Sequence, residues 1–162
     1  MNEMKGKIVL ITGASSGIGE ACARKFASQG ADLILNARTE SKLAELKKEL
    51  ETEYGIEVYP LPFDVRDRKA AKSSLDALPE RWKAIDILIN NAGLVIGVDK
   101  EFEGDLDEWD IVIDTNIKAL LAMTRMVVPG MVERNRGHII NIGSIAGEMA
   151  YPGGSVYCAT KA

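Results

Sequence analysis

Five short runs rich in Val, Ile and Leu alternate with longer amphipathic stretches, and this alternation restricts the fold more than any other feature of the chain. The runs fall at residues 7–12 (KIVLIT), 32–37 (DLILNA), 57–62 (EVYPLP), 85–90 (IDILIN) and 138–142 (HIINI). Their mostly continuous apolar character predicts strands covered on both faces, as in a parallel sheet. Helical patterns lie between them at 17–29, 41–54, 68–78 and 106–133. Ser41, before KLAELKKEL, is a plausible N-cap, and Glu45 and Glu49 stand four apart among lysines on a solvated face. The whole reads as a doubly wound α/β sheet. No linker, low-complexity tract or internal repeat interrupts it, and 162 residues suit one domain.

Composition narrows the functional classes. Twenty Lys and Arg against 24 Asp and Glu give a net charge of −4, unlike a surface built for nucleic acid or anionic membrane. No apolar run approaches the roughly 18 residues that span a bilayer. The apolar run at residues 8–11 is too short for the core of a signal peptide. Cys22 and Cys158 stand far apart without CxxC spacing, and His138 is the sole histidine. Neither a disulfide framework nor a metal site is implied. A cytoplasmic, metal-independent protein is expected.

The first strand runs straight into TGASSGIG and then a helix. Glycines at 13, 17 and 19 let the backbone turn tightly and approach an anion, while the helix N-terminus offers unpaired N–H groups and a positive dipole end. The spacing is G-x-x-x-G-x-G rather than G-x-G-x-x-G, and a plain turn opening a helix is the bland rival. An acidic residue after the second strand would bind the ribose 2′-hydroxyl of NAD. Here the chain reads Leu35-Asn36-Ala37-Arg38-Thr39, and Arg38 offers a fork of donors suited to a 2′-phosphate. NADP is the expected cofactor, unless Arg38 is simply a surface arginine.

In the 106–133 helix, Trp109, Ile113, Ile117, Leu120, Thr124, Val127 and Met131 form an apolar stripe at three- and four-residue spacing. Asn116 lies on or beside it, either satisfied by neighbouring backbone or kept for function.

Together these motifs resemble the short-chain dehydrogenase/reductase family over the whole chain. TGASSGIG matches its cofactor loop, Asn90-Asn91-Ala92-Gly93 its NNAG motif, and Asn116, Ser144 and Tyr157-Cys158-Ala159-Thr160-Lys161 its Asn, Ser and YxxxK catalytic set. The runs DTNIKALLAMTRMVVPGMVERNRGHIINIGSIAG and YPGGSVYCATKA are especially similar to the NADP-dependent 3-hydroxy acid dehydrogenases, which act on serine, allo-threonine and small 3-hydroxy acids. The resemblance implies a Rossmann-type fold. It also implies that Gly13, Ser15, Ser16, Gly17, Ile18 and Gly19 hold the cofactor phosphates. Asp64 and Val65 would bracket the adenine, and Asn91, Ala92 and Gly93 would line the adenosine ribose.

The catalytic set has a physical logic. Tyr157 and Lys161 stand four apart and so face the same side of a helix. A tyrosine is a weak base at neutral pH, and an adjacent ammonium favours its phenolate. Tyr157 would then exchange a proton with the substrate hydroxyl, and Lys161 would also hold the nicotinamide ribose. Ser144 would fix the substrate oxygen, and Asn116 would hold a water relaying protons from Lys161. Each has a bland rival: a half-buried tyrosine, a surface lysine, a helix cap. Gly153 and Gly154 give freedom near the pocket or merely bend the loop, and Met149 and Tyr151 are candidate pocket walls.

Three functions remain open: a dehydrogenase of small 3-hydroxy acids, a 3-oxoacyl carrier-protein reductase, and a non-catalytic NADP-binding module. The resemblance also implies further strands and a substrate lid beyond Ala162, so the 162 residues are expected to be part of a longer NADP-binding domain. It implies a homotetramer packed through the 106–133 helix and the helix beginning near Tyr157.

Overall fold

The computed structural model describes residues 3–162. Five parallel strands form one sheet: β1 (Ile8–Ile11), β2 (Asp32–Ala37), β3 (Val58–Pro62), β4 (Ile87–Asn90) and β5 (His138–Asn141), in the order β3-β2-β1-β4-β5. Leu10 of the central strand is in register with Ile34 on one side and Leu88 on the other, and Leu88 with Ile139. The α/β doubly wound expectation stands, with strand ends trimmed by one or two residues.

The period of two along each strand divides the core between the sheet's faces. Val9, Ile11, Leu33, Leu35 and Ile89 pack with Ala23 and Ala27 of α1 (Gly17–Ala27) and with Leu43, Leu46 and Leu50 of α2 (Glu40–Tyr54). Ile8, Leu10, Ile34 and Leu88 face the other way, onto Ala71 of α3 (Arg68–Asp76), Trp82, and Met123, Val127 and Met131 of α5 (Leu120–Glu133). Continuous apolar runs arise because both alternating sets are buried. Among the described residues β5 pairs with β4 alone and is largely exposed.

Two local expectations are corrected. Helix α2 begins one residue before Ser41, with Thr39 as its N-cap, so Ser41 lies inside the first turn. The 106–133 segment is three pieces, α4 (Leu106–Ile113), a wide π-type turn (Asp114–Ala119) and α5. The wide turn rotates the helix about its axis. The buried face therefore runs through Val112, Thr115, Asn116, Ala119, Met123, Val127 and Met131. Of the expected stripe only Val127 and Met131 are fully buried; Trp109, Ile113, Ile117, Leu120 and Thr124 are half-buried. The final helix, α6, spans Ser155–Lys161.

The chain passes from β1 to β2 on one side and later returns to β4 on the other, so the connections diverge above β1 and leave a crevice at the carboxyl ends of the strands. At the opposite end, buried Asp86 accepts from Ile8 N at 3.0 Å and pairs with Arg136 at 2.8 Å, fixing the start of β1 against β4.

Candidate active site and nucleotide cleft

A cleft of about 480 Å³ opens at those strand ends, walled by the β1–α1 loop, the ends of β2 to β5, and α6. Its floor is tied by side chains that end the strands. Thr12, 2 % exposed, accepts at Oγ1 from Asn91 N and Ala92 N, each at 3.0 Å, and donates to Ile89 O at 3.3 Å. Asn91 Nδ2 in turn donates to Thr12 O at 2.9 Å and Gly13 O at 3.1 Å. Asn36 continues the staple toward β3: its Nδ2 donates to Leu61 O and Phe63 O, while its backbone carbonyl accepts from Ala14 N at 2.9 Å. Four strand ends are thus locked around the glycine loop.

The loop needs glycine at particular positions. Gly13 has φ +64°, a conformation that side chains strain. A Cβ at Gly19 would overlap the Gly13 carbonyl and lie 2.5 Å from Asn91 Nδ2. Ser16, the N-cap of α1, makes no side-chain capping bond, so the N–H groups of the first turn remain available to an anion in the cleft.

The cleft brings together most of the expected residues. Gly13, Ser15, Ser16 and Ile18 line it from the loop, Arg38, Asp64 and Val65 at one end, Asn91, Ala92 and Gly93 in the middle, and Tyr157 and Lys161 at the other end. Gly17 and Gly19 open α1 behind the lining. Ser144 and Asn116 do not line the cleft either. Met149 and Tyr151, the suggested pocket walls, are exposed and outside it.

At the Asp64 end, Arg66 wraps the carboxylate, with Nη2 at 2.7 Å and Nε at 3.1 and 3.2 Å. Those hydrogen bonds, opposed in part by burial and aided by the charge of Arg38, hold the Asp64 pKa below the usual carboxylate range. At the other end, Lys161 Nζ donates to Ile142 O at 3.0 Å and lies 6.0 Å from the centre of the Tyr157 ring. Ser144 caps a short 3₁₀ turn (Ile145–Gly147), with Oγ accepting from Ala146 N at 3.2 Å. That bond leaves its hydroxyl hydrogen to donate elsewhere.

Asn116 is 4 % exposed and its amide is engaged by neighbouring backbone, the bland alternative in the sequence. Oδ1 accepts from Leu94 N at 2.9 Å, and Nδ2 donates to Leu94 O at 2.9 Å and to Thr160 Oγ1 at 3.0 Å. Thr12, Asn36, Arg66 and Thr160 were not anticipated as site residues. A signal existed for Asn36, the one amide in the run DLILNA; Thr12 and Thr160 carry no comparable mark. Among the described residues no group of three or more His, Cys, Asp or Glu is arranged to hold a metal, and no described helix is long and apolar enough to cross a membrane.

An elongated cleft with an uncapped helix N-terminus at its centre, and a loop crowded against any side chain at positions 13 and 19, fits a dinucleotide. Arg38 and Asp64 line one end of it, and Tyr157 and Lys161 the other.

Comparison with known proteins agrees with this geometry. The family profile described as short chain dehydrogenase matches residues 7–162. The NADP-dependent 3-hydroxy acid dehydrogenase of Escherichia coli is 51 % identical over 155 residues, covering 96 % of this chain and 61 % of that protein. Its namesake in Schizosaccharomyces pombe is 47 % identical over 162 residues, covering 99 % of this chain and 62 % of that protein. This chain therefore spans about three-fifths of the length of these relatives. The crystal structure of serine dehydrogenase from Escherichia coli superposes with a TM-score of 0.89 at 51 % identity, covering 95 % of this chain and 69 % of that one. A closed form of serine dehydrogenase complexed with NADP+ gives a TM-score of 0.88 at 49 % identity, covering 95 % and 60 %.

Proposed function

This chain belongs to the short chain dehydrogenase family, and from that premise we propose that it is an NADP-dependent oxidoreductase of small 3-hydroxy acids such as serine. The observation that carries the reading is the pairing of Tyr157 with Lys161 on α6 at one end of a dinucleotide-shaped cleft, Nζ being 6.0 Å from the ring centre. The names of the relatives support the cofactor and substrate class.

Bound NADP would supply the two-electron acceptor, or in its reduced form the donor, at the carbon that bears the hydroxyl. The first turn of α1 and Ser15 and Ser16 would hold its phosphates, and Arg38 its 2′-phosphate. Asp64 and Val65 would meet the adenine, and Asn91, Ala92 and Gly93 the ribose. Tyr157 takes the hydroxyl proton in oxidation and returns it to the carbonyl oxygen in reduction. Lys161, on the same helix, would hold the nicotinamide ribose. Ser144 donates its remaining O–H to the same oxygen and sets it beside Tyr157. The Asn116 amide is committed to protein partners, so any relay of protons past Lys161 that it supports uses other atoms of that turn.

Carrier-protein reduction is the weaker reading. The segment DKEFEGDLDEWD (99–110) leads away from cleft-lining Val95 and carries seven carboxylates against one lysine, a poor neighbour for an acidic carrier. A self-associating form, a tetramer by family likeness, is supported by a second apolar stripe on the outer side of α4–α5. Half-buried Ile113, Ile117 and Val128 there alternate with exposed Leu121 and Val132. The two separated, unpaired cysteines support a cytoplasmic setting.

Absorbance at 340 nm with NADP and serine, 3-hydroxybutyrate or a simple alcohol tests the reading. Turnover of the hydroxy acids and its loss in Tyr157→Phe are expected. A Tyr157→Phe protein at full activity refutes the mechanism, and unchanged NADP preference in Arg38→Asp refutes the cofactor assignment.

A further inference from the structure

One hydroxyl that this reaction does not use ties its parts together. Thr160 lies on α6 between Tyr157 and Lys161; its Oγ1 donates to Tyr157 O at 2.8 Å and accepts from Asn116 Nδ2 at 3.0 Å. Asn116 sits in the wide turn Asp114–Ala119 and grips both backbone groups of Leu94, at the exit of β4. A continuous chain of bonds therefore runs from Leu94 through Asn116 and Thr160 to Tyr157. Among the described residues, the Asn116–Thr160 bond is the one side chain–side chain hydrogen bond joining α6 to the rest of the protein.

This matters because Tyr157 and Lys161 both stand on α6. Its rotation decides where the phenol and the ammonium point. The back-bond from Oγ1 to Tyr157 O consumes the hydroxyl hydrogen, so a lone pair is turned to Asn116. The wide turn in the 106–133 segment places Asn116 on the buried face that meets Thr160, whereas the uninterrupted stripe put it only on or beside that face.

Resting on the oxidoreductase reading, we infer that Thr160 is a positioning residue that sets the Tyr157–Lys161 pair through its bond to Asn116. It touches no reacting atom. Its hydroxyl, rather than its bulk, carries the effect. Thr160→Ser keeps both bonds, and Thr160→Val keeps the shape, removes both and leaves a buried Asn116 N–H without its partner.

The test compares the wild type, Thr160→Ser and Thr160→Val by steady-state kinetics with NADP and the best hydroxy acid, by NADPH fluorescence titration, and by amide hydrogen exchange of α6 in the ligand-free protein. Thr160→Val is expected to lower kcat by about 10- to 100-fold, as misplacement of a reacting group does. KM and the NADPH dissociation constant should stay within about threefold, and α6 amides should exchange faster; Thr160→Ser should behave like the wild type throughout. Wild-type kcat and α6 exchange in Thr160→Val overturn the inference. So does a Thr160→Ser protein as impaired as Thr160→Val, which would assign the effect to the methyl group. Equal loss of kcat and NADPH binding in Thr160→Val also overturns it, as general damage to the fold. A wild type that binds NADPH without turning over any hydroxy acid overturns the reading beneath it, and the inference falls too.

Discussion

Replacing Thr12 by Val keeps the shape of the side chain and removes the hydroxyl that joins the ends of β1 and β4. Oγ1 is bonded to Asn91 N, Ala92 N and Ile89 O. Asn91 N keeps a second acceptor, Ile89 O at 3.1 Å, but among the described residues the Ala92 N–H has no other partner. One orphaned N–H costs about 1–3 kcal/mol, and loss of the second bond adds about 1 kcal/mol. The total of about 2–4 kcal/mol is a large part of the roughly 5–15 kcal/mol that keeps a domain folded. Thr12→Ser retains all three bonds and gives up one buried methyl, about 1 kcal/mol. Urea unfolding followed by far-ultraviolet circular dichroism measures both. With a slope of about 2 kcal/mol/M, the Val midpoint should fall by about 1–2 M and the Ser midpoint by about 0.5 M. A Val protein within about 0.5 kcal/mol of wild type refutes the staple. So does a Ser protein as unstable as the Val protein.

Further outcomes follow from the same site. Gly19→Ala sets a Cβ against the Gly13 carbonyl and Asn91 Nδ2, neither of which can retreat without breaking the loop. A stability loss of about 1–3 kcal/mol and at least tenfold weaker NADPH binding are expected by denaturation and fluorescence titration. Arg66 depresses the Asp64 pKa in the folded protein, so the pair's stabilisation is present above the unfolded value near 4 and disappears as pH falls through the lower folded value. Arg66→Met should therefore move the acid-unfolding midpoint to higher pH, read by circular dichroism between about pH 5 and 2; an unmoved midpoint assigns the pair no role.

How much of this was written in the chain depends on the interaction. The sheet was legible because both faces of β1, β2 and β4 are buried, which turns strands into continuous apolar runs. The cleft was legible because glycine loops and strand ends lie where parallel sheets place ligands. The stripe on 106–133 was misplaced because a six-residue wide turn leaves no mark in an apolar helix, yet rotates everything after it. Ser41 resembled a cap, but the backbone bends two residues earlier, at Thr39. Thr12 and Thr160 were silent because their partners lie 79 and 44 residues away, and spacing rules reach only neighbours along one element.

Those separations also shape how the protein comes to exist. The glycine loop is made well before β4, but its carbonyls are held by Asn91, 78 or 79 residues later. Asn90 in turn waits for Asn141, 51 residues on. A nascent chain can build β1, α1 and β2 locally, but it cannot shape the cleft until β4 has emerged and docked against β1. The glycine loop thus waits for its staples until β4 is in place, and closure of the long β1–β4 connection becomes the step in folding that shapes the cleft.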